Sequence, residues 1–454
     1  MRALRHLSIA ALAAVTLAGP ARAAVPTPGA PQDRPIALVG GTLHLTSRGE
    51  VANGTVVFDR GRITTVGSEA DIPSNAVRID VRGKQVYPSL IDAYSTLGLV
   101  EIDAARATVD FAEVGTLTPN VHAEVAVNPE SESIPVTRSN GVLLANVAPR
   151  GAFLRGTSAM MMMDGWTWAD MTLRAPIGMF LTWPGMVVNT VGPARDTEED
   201  QKKRRDKALR DLQDAFDQAR AYWTAEKSGH AEGVPTDARW AAMIPVLEGK
   251  LPLIVEATEI QGIQAAVAFC EREKVKMILL GGYDAPACAE LLVKHDIPVI
   301  VGVVHRLPAR QYEAYDTPFT VADRLRRAGV RFCITNGGGF WNERNLPYEA
   351  ATAVAYGMPA DEALKAITIY PAQILGVADR VGTLDTGKDA TLFVSDGDIL
   401  DVRSHVERAF VQGREVDLND KQKTLWAKYR EKYRRLGLAG GAGASGTRAS
   451  SPTR

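Results

Sequence analysis

Between residues 251 and 336 the chain repeats one pattern: a run of aliphatic and β-branched residues, then a stretch with helical spacing. The runs are "LPLIVEA" (251–257), "KMILLGG" (276–282), "IPVIVGVV" (297–304) and "VRFCITN" (330–336), with "GVLLANVA" (141–148) upstream. "EIQGIQAAVAFCEREK" (259–274) and "APACAELLVKHD" (285–296) lie between them. A strand apolar on both sides must be covered on both faces, and a helical crossover brings the next strand in parallel. The fold class is therefore α/β. At about 300 residues, the segment 87–386 is expected to form a (β/α)8 TIM-like barrel.

The flanks read differently. Residues 36–86 alternate apolar and polar positions, with Asn53-Gly54 and Asp59-Arg60-Gly61 as hairpin turns. "GKDATLFVSDGD" and "HVERAFVQGREV" read as strands again near the other end. Residues 36–86 plus 387–417 are thus expected to form a composite β-sandwich around the inserted barrel. Residues 1–23 carry Arg2 and Arg5, an apolar stretch and Ala21-Arg22-Ala23, the pattern of a signal peptide cleaved after Ala23. That predicts a periplasmic or secreted protein with no transmembrane span once the signal is removed. Losing Arg2, Arg5 and Arg22 takes the formal charge from −1 to −4, so nucleic acid is not expected as a partner. Residues 24–35 read as a flexible Pro-rich linker, 418–438 as a C-terminal helix docked through its aromatic side, and 439–454 as a disordered tail. Cys270, Cys288 and Cys333 sit in apolar contexts and fit no zinc spacing.

"GKQVYPSLIDAYSTLGL" (83–99) and "NLPYEAATAVAYGMPADEALKAITIYPAQILGVADRVGTLDTGKDATLFV" (345–394) carry a resemblance. With the split β-domain, they make the chain similar to the amidohydrolase superfamily, specifically its imidazolonepropionase-like members. The resemblance implies hydrolysis of non-peptide C–N bonds, in amide, cyclic amide or dipeptide-like substrates. It also implies a divalent metal such as zinc at the C-terminal end of the barrel, lowering the pKa of a bound water and polarising the substrate carbonyl. The family's ligands are a His-x-His after strand one, a Lys or Glu on strand four, and a His on each of strands five and six. An Asp on strand eight carries the proton.

Carried onto this sequence, those positions become Tyr94 and Thr96, Glu256 or Thr258, Gly281 and Gly282, and Asn336. For strand four, "TSAMMMMDGWTWADM" (157–171) holds neither Lys nor Glu. An amide such as Asn336 cannot act as a general base near neutral pH. Of the seven histidines, His6, His44, His122, His230, His295, His305 and His405, only His122 and His305 fall where a catalytic mouth would be. Asp92, Asp284, His305 and Trp341 are the remaining pocket candidates, and Asp92, Glu256 and Asp284 could form a carboxylate-only cation site. Trp166, Trp168 and Trp183 are expected to pack under loops or plug the former site, and Arg155, Arg174 and Arg344 are candidates for holding a carboxylate.

The expectation is an exported amidohydrolase-like chain without a metal or other cofactor, either a pseudoenzyme or a companion subunit of an intact homologue. It would assemble as a homo-oligomer or as that heteromer. Two alternatives stay open: an active hydrolase with an atypical carboxylate site, and a protein that binds a small-molecule ligand.

Overall fold

The computed structural model describes residues 27–151, 153–188, 196–228 and 236–438. Residues 1–26, read above as including a signal peptide and containing His6, together with His230 and residues 439–454, lie outside the described residues. The repeat read from the sequence is present. Strands Met179–Thr182, Leu253–Ala257, Met277–Gly281, Val299–Val301 and Phe332–Ile334 pair in that order, all parallel. Leu90–Ser95 and Val142–Val147 form a second parallel pair.

The segment 154–162 joins the two sheets. Its first half, Leu154–Thr157, runs antiparallel to Met179–Thr182, and its second half, Ala159–Met162, runs antiparallel to Val142–Val147. Eight strand positions therefore succeed one another, and the third is reversed where a uniformly parallel set was expected. The cause is the short link after Val147: residues 148–153 are too few for a crossover helix, so the chain turns straight back. Across the remaining gap, Thr335 Oγ1 lies 3.1 Å from the carbonyl of Tyr94 and donates to Asp92 of the first strand, bringing the last strand to the first.

The helices follow from spacing and caps. Ile260–Glu273 buries Ile263, Ala266, Val267, Phe269 and Cys270 at helical intervals and ends where Lys274 takes a left-handed φ of 58°. The sequence reading did not single out Glu198–Lys227, a helix of 30 residues. Thr197 caps it by accepting from the Asp200 amide, three acids occupy its first turn, and only Leu212, Ala215, Phe216 and Ala219 are buried. So narrow an apolar stripe in a charged segment is easily read as surface.

The two ends of the chain meet in one hydrogen-bonded sheet of eight strands. Leu392–Ser395 lies antiparallel to Gln85–Pro88, which in turn pairs with Ile36–His44. Asp389, almost wholly buried, ties this junction by accepting from Arg62 at 2.7 Å, Arg380 at 2.6 Å and Gln412 at 3.0 Å.

Two flanking expectations are corrected. Residues 27–35 are docked: the Gly29 amide donates to Asp164, and the Gln32 side chain donates to the Phe58 carbonyl and accepts from the Gly61 amide. An extended Pro-rich segment has no internal hydrogen bonds, so it takes them from the body. The helix Lys421–Arg435, expected to dock, buries none of its residues. Among the described residues no helix is long and apolar enough to cross a membrane.

Replacing Asp389 with Ala leaves Arg62 and Arg380 facing one another across an unneutralised junction. A loss of about 3 kcal/mol is expected in urea unfolding of the purified protein.

Candidate functional site

Chemistry on parallel strands of this kind gathers at their C-terminal ends. Those ends here are Tyr94-Ser95-Thr96, Thr182-Trp183, Glu256-Ala257, Gly281-Gly282 and Thr335-Asn336. The fourth strand is thus Met179–Thr182, not the methionine run, which forms the reversed strand Ala159–Met162. Position four is taken by Thr182, whose hydroxyl reaches Glu256 at 3.5 Å.

The strand ends are filled with protein. The loop after the last strand, Gly337-Gly338-Gly339, folds down onto the first strand. Thr96 Oγ1 donates to the Gly338 carbonyl at 2.9 Å, and Arg150 donates to the same carbonyl at 2.7 Å. Gly338 has φ of 78°, and a Cβ there would sit 2.7 Å from the Tyr94 ring and 2.8 Å from the Arg150 guanidinium. Only glycine allows this approach. Tyr94 and Thr96 are both buried beneath it.

Arg155, from the reversed strand, supplies the positive charge inside. Its guanidinium donates to Glu256 at 2.7 Å while its side chain is only 4% exposed, and it lies 5.5 Å over the Phe180 ring. Phe180 stacks on Tyr94 with centroids 5.6 Å apart. The sequence reading offered Arg155 as a carboxylate holder for a ligand; the carboxylate it holds belongs to the chain itself. Asn336 is buried and donates from its amide to Asn342 at 3.0 Å.

Asp92 is fully buried. Its carboxylate accepts from the Thr335 hydroxyl and from the amides of Tyr94 at 3.3 Å and Asn336 at 3.4 Å. Glu343, equally buried, lies beside it. Burial pushes Glu343 well above the ordinary glutamate range, and the neighbouring Asp92 charge and hydrogen bond push it further. Burial also raises Asp92, opposed by hydrogen bonds from Glu343 and Thr335. Burial beside the Asp92 carboxylate thus favours the neutral acid at Glu343. Glu349, raised by burial, accepts from the amides of Val304 at 2.6 Å and His305 at 2.9 Å. Sequence reasoning missed Glu343; a lone acid in "GFWNERN" gives no spacing that marks it as interior.

The other candidates are dispersed. Asp284 accepts both arms of Arg310, at 2.9 and 2.6 Å, and caps the Ile260 amide at 3.1 Å. His305 is half-exposed, set between Glu349 at 3.1 Å and Thr352 at 2.6 Å. Trp341 is 60% exposed and packs edge-on against Phe340, on the outside of the loop. Gly281 has no side chain to offer, and His122 meets Glu124 and Thr157. Trp183 is buried against Phe269, whereas Trp166 and Trp168 are exposed and plug nothing. Arg174 pairs with Asp379. Among the described residues no group of three or more His, Cys, Asp or Glu side chains could hold a metal ion. The donor set thus does not fit the family's metal: a methyl alcohol spent on a carbonyl, a glycine, an amide, and a carboxylate already neutralised by Arg155.

A cleft of about 530 Å³ lies elsewhere, lined by Ile134, Arg138, Met163, Trp166, Asp420 and Leu425, among others. Met163 hydrogen-bonds to Leu143 at the start of strand Val142–Val147. The cleft therefore opens at the N-terminal end of the strands, opposite the filled site.

The profile of the amidohydrolase family matches residues 259–419. The amidohydrolase TasK of Hapsidospora irregularis is 22% identical over 386 residues, covering 79% of this chain and 39% of that protein. The imidazolonepropionase of Mesorhizobium japonicum is 32% identical over 93 residues, covering 20% of this chain and 23% of that protein. The chain thus spans well under half the length of either curated relative. Among solved structures, an amidohydrolase from Thermotoga maritima aligns with a TM-score of 0.74 at 23% identity, over 84% of this chain and 99% of its own. A prolidase complexed with N-methylphosphonate-L-proline aligns at 0.52 and 16% identity, over 84% and 99%. These structural likenesses speak to the fold.

Two outcomes are expected. Gly338→Ala places a methyl against Tyr94 at a positive φ and should lower stability by about 2 kcal/mol in urea titration. For Glu343, the folded state keeps a proton that the unfolded chain releases above the ordinary value of 4.5, so this group destabilises the fold progressively as pH rises from there toward its raised value. Glu343→Gln should therefore gain stability relative to wild type across that window in denaturant midpoints measured from pH 4 to 8. A difference that is flat with pH would contradict the neutral acid at Glu343.

Proposed function

On the premise that this chain belongs to the amidohydrolase superfamily, we propose that it is a silent member that does not turn over by the family's metal mechanism and serves as companion to an intact homologue. Membership by itself supports a hydrolase-type function. The observation that carries the finer reading is the filling of the strand ends. Arg155 neutralises Glu256 at 2.7 Å, and the Gly338 carbonyl takes the Thr96 hydroxyl at 2.9 Å. A hydrolase of this type needs a polarised water and a proton carrier beside the scissile bond. Asn336 is an amide and offers no general base, and Glu343, raised by burial, is wholly buried and out of reach of any substrate.

On this reading the eight strand positions are a (β/α)8-type barrel with one reversed strand, retained as a scaffold. The N-terminal segment supports export and a periplasmic or secreted location. Small-molecule binding is favoured as a second reading by the 530 Å³ cleft at the opposite end, with buried Arg138 and exposed Trp166 among its lining residues.

The test is direct. Purified protein incubated with zinc, manganese or nickel and then desalted should hold well under one metal per chain by elemental analysis, and should not hydrolyse N-acyl amino acids or dipeptides. Stoichiometric metal with metal-dependent hydrolysis would overturn the proposal. Co-purification with a histidine-intact homologue expressed beside it is the expected positive result for the companion role.

A further inference from the structure

The helix Lys421–Arg435 stands off the body with an unusual division of its surface. Asp420 caps it by accepting the Lys423 amide at 2.8 Å. At 100° per residue, Leu425, Trp426, Tyr429, Tyr433 and Leu436 just beyond it fall within an arc of about 100°. All five are exposed, from 41% at Leu425 to 61% at Trp426. Arg430, Lys423 and Arg434 border this arc on one side, and Lys432, Lys421, Lys428 and Arg435 on the other. Seven basic residues against Glu431 give the helix +6, while the rest of the chain sums to −7.

The charges are largely uncompensated. Glu431 pairs with Arg434 and Arg435 at 2.7 and 2.8 Å, and Asp420 lies 3.8 Å from Lys423. Among the described residues no carboxylate lies within ion-pair distance of Lys421, Lys428, Arg430 or Lys432. Instead Arg430 sits 4.3 Å over the Trp426 ring, and Lys428 and Lys432 flank Tyr429 at 5.8 and 5.9 Å. Cations held beside aromatic rings place charge at the border of the apolar arc.

A helix built to pack on its own body would bury the arc, and this one buries nothing. Trp and Tyr with an apolar body and polar tip, between two basic borders, suit a surface that is apolar below and anionic at its rim. We propose that Lys421–Arg435 is an interfacial helix that lies flat on bilayers containing anionic phospholipid. Leu425, Trp426, Tyr429, Tyr433 and Leu436 enter the headgroup–acyl boundary while the flanking Lys and Arg meet lipid phosphates. Trp166, 69% exposed, lines the same cleft as Leu425. Glu130, Glu132 and Asp417 in that cleft repel an anionic surface, so contact is confined to the helix.

The experiment is vesicle co-sedimentation of the whole protein with phosphatidylcholine vesicles, with and without about one-quarter phosphatidylglycerol. Wild type should sediment with the anionic vesicles and remain in solution with the neutral ones. Raising salt to about 0.5 M should release it. The double substitutions Lys428→Glu with Lys432→Glu, and Trp426→Ser with Tyr429→Ser, should each weaken partitioning about tenfold or more. Their thermal unfolding should match wild type, because no residue of the helix is buried. Failure to bind anionic vesicles, equal binding to neutral ones, or undiminished binding by the charge-reversed protein would overturn the proposal. A dimer lost on Trp426→Ser, without vesicle binding, would assign the face to a second copy and would also overturn it.

Discussion

A charge inside a strand interior must meet its opposite there, because water cannot reach in to screen it. In this chain the buried Arg155 is met by Glu256 at 2.7 Å, a carboxylate that is itself 39% exposed and so faces water on its other side. The positive charge beside these strand ends is a guanidinium fixed to the reversed strand. Its position depends on the reversal, since only strand Leu154–Thr157 carries Arg155 to the edge of Met179–Thr182. Once the guanidinium is in place, Phe180 and Tyr94 stack beneath it and the triple-glycine loop can lie on Tyr94 and Thr96. Removing Glu256 would leave the buried Arg155 guanidinium without its counter-charge, which costs about 3 kcal/mol, whereas the half-exposed Glu256 left alone would be hydrated.

The same logic explains the neighbouring acids. Asp92 sits where hydrogen bonds from Thr335 and two backbone amides define the junction of first and last strands. Glu343 then enters the same dry space as a neutral acid. This interior is not fully paired: among the described residues, Asp92 Oδ2, Asn336 Oδ1 and both Glu343 oxygens are buried with no N–H or hydroxyl donor in bonding geometry beside them. At the other end of the strands the cleft, Trp166 and the first turn of the terminal helix adjoin.

The sequence made the parallel core legible because runs apolar on both faces leave few alternatives, and observed strands fall inside the runs quoted for them. The meeting of the chain ends was legible too, from alternation and turn residues. The reversed strand was not: "LRGTSAMMM" is apolar in either direction, and only the length of the preceding link fixes its sense. That Tyr94, Thr96, Glu256 and Gly281 stand where the resemblance implies imidazoles, and Asn336 where it implies an aspartate, could be read directly. What replaced them could not, since Arg155 and Glu256 are 101 residues apart and Glu343 belongs to a loop. The terminal helix was misread because an aromatic arc looks the same whether it packs on its own protein or on something else.

The central claim is that protein groups, not a cation, fill the strand ends. Anomalous diffraction at the zinc edge from crystals grown in excess zinc tests it most directly. The account predicts no anomalous peak among Tyr94, Thr96, Glu256 and Asp92, with the Arg155 guanidinium still on Glu256. A fully occupied peak there, with Arg155 displaced, would contradict it.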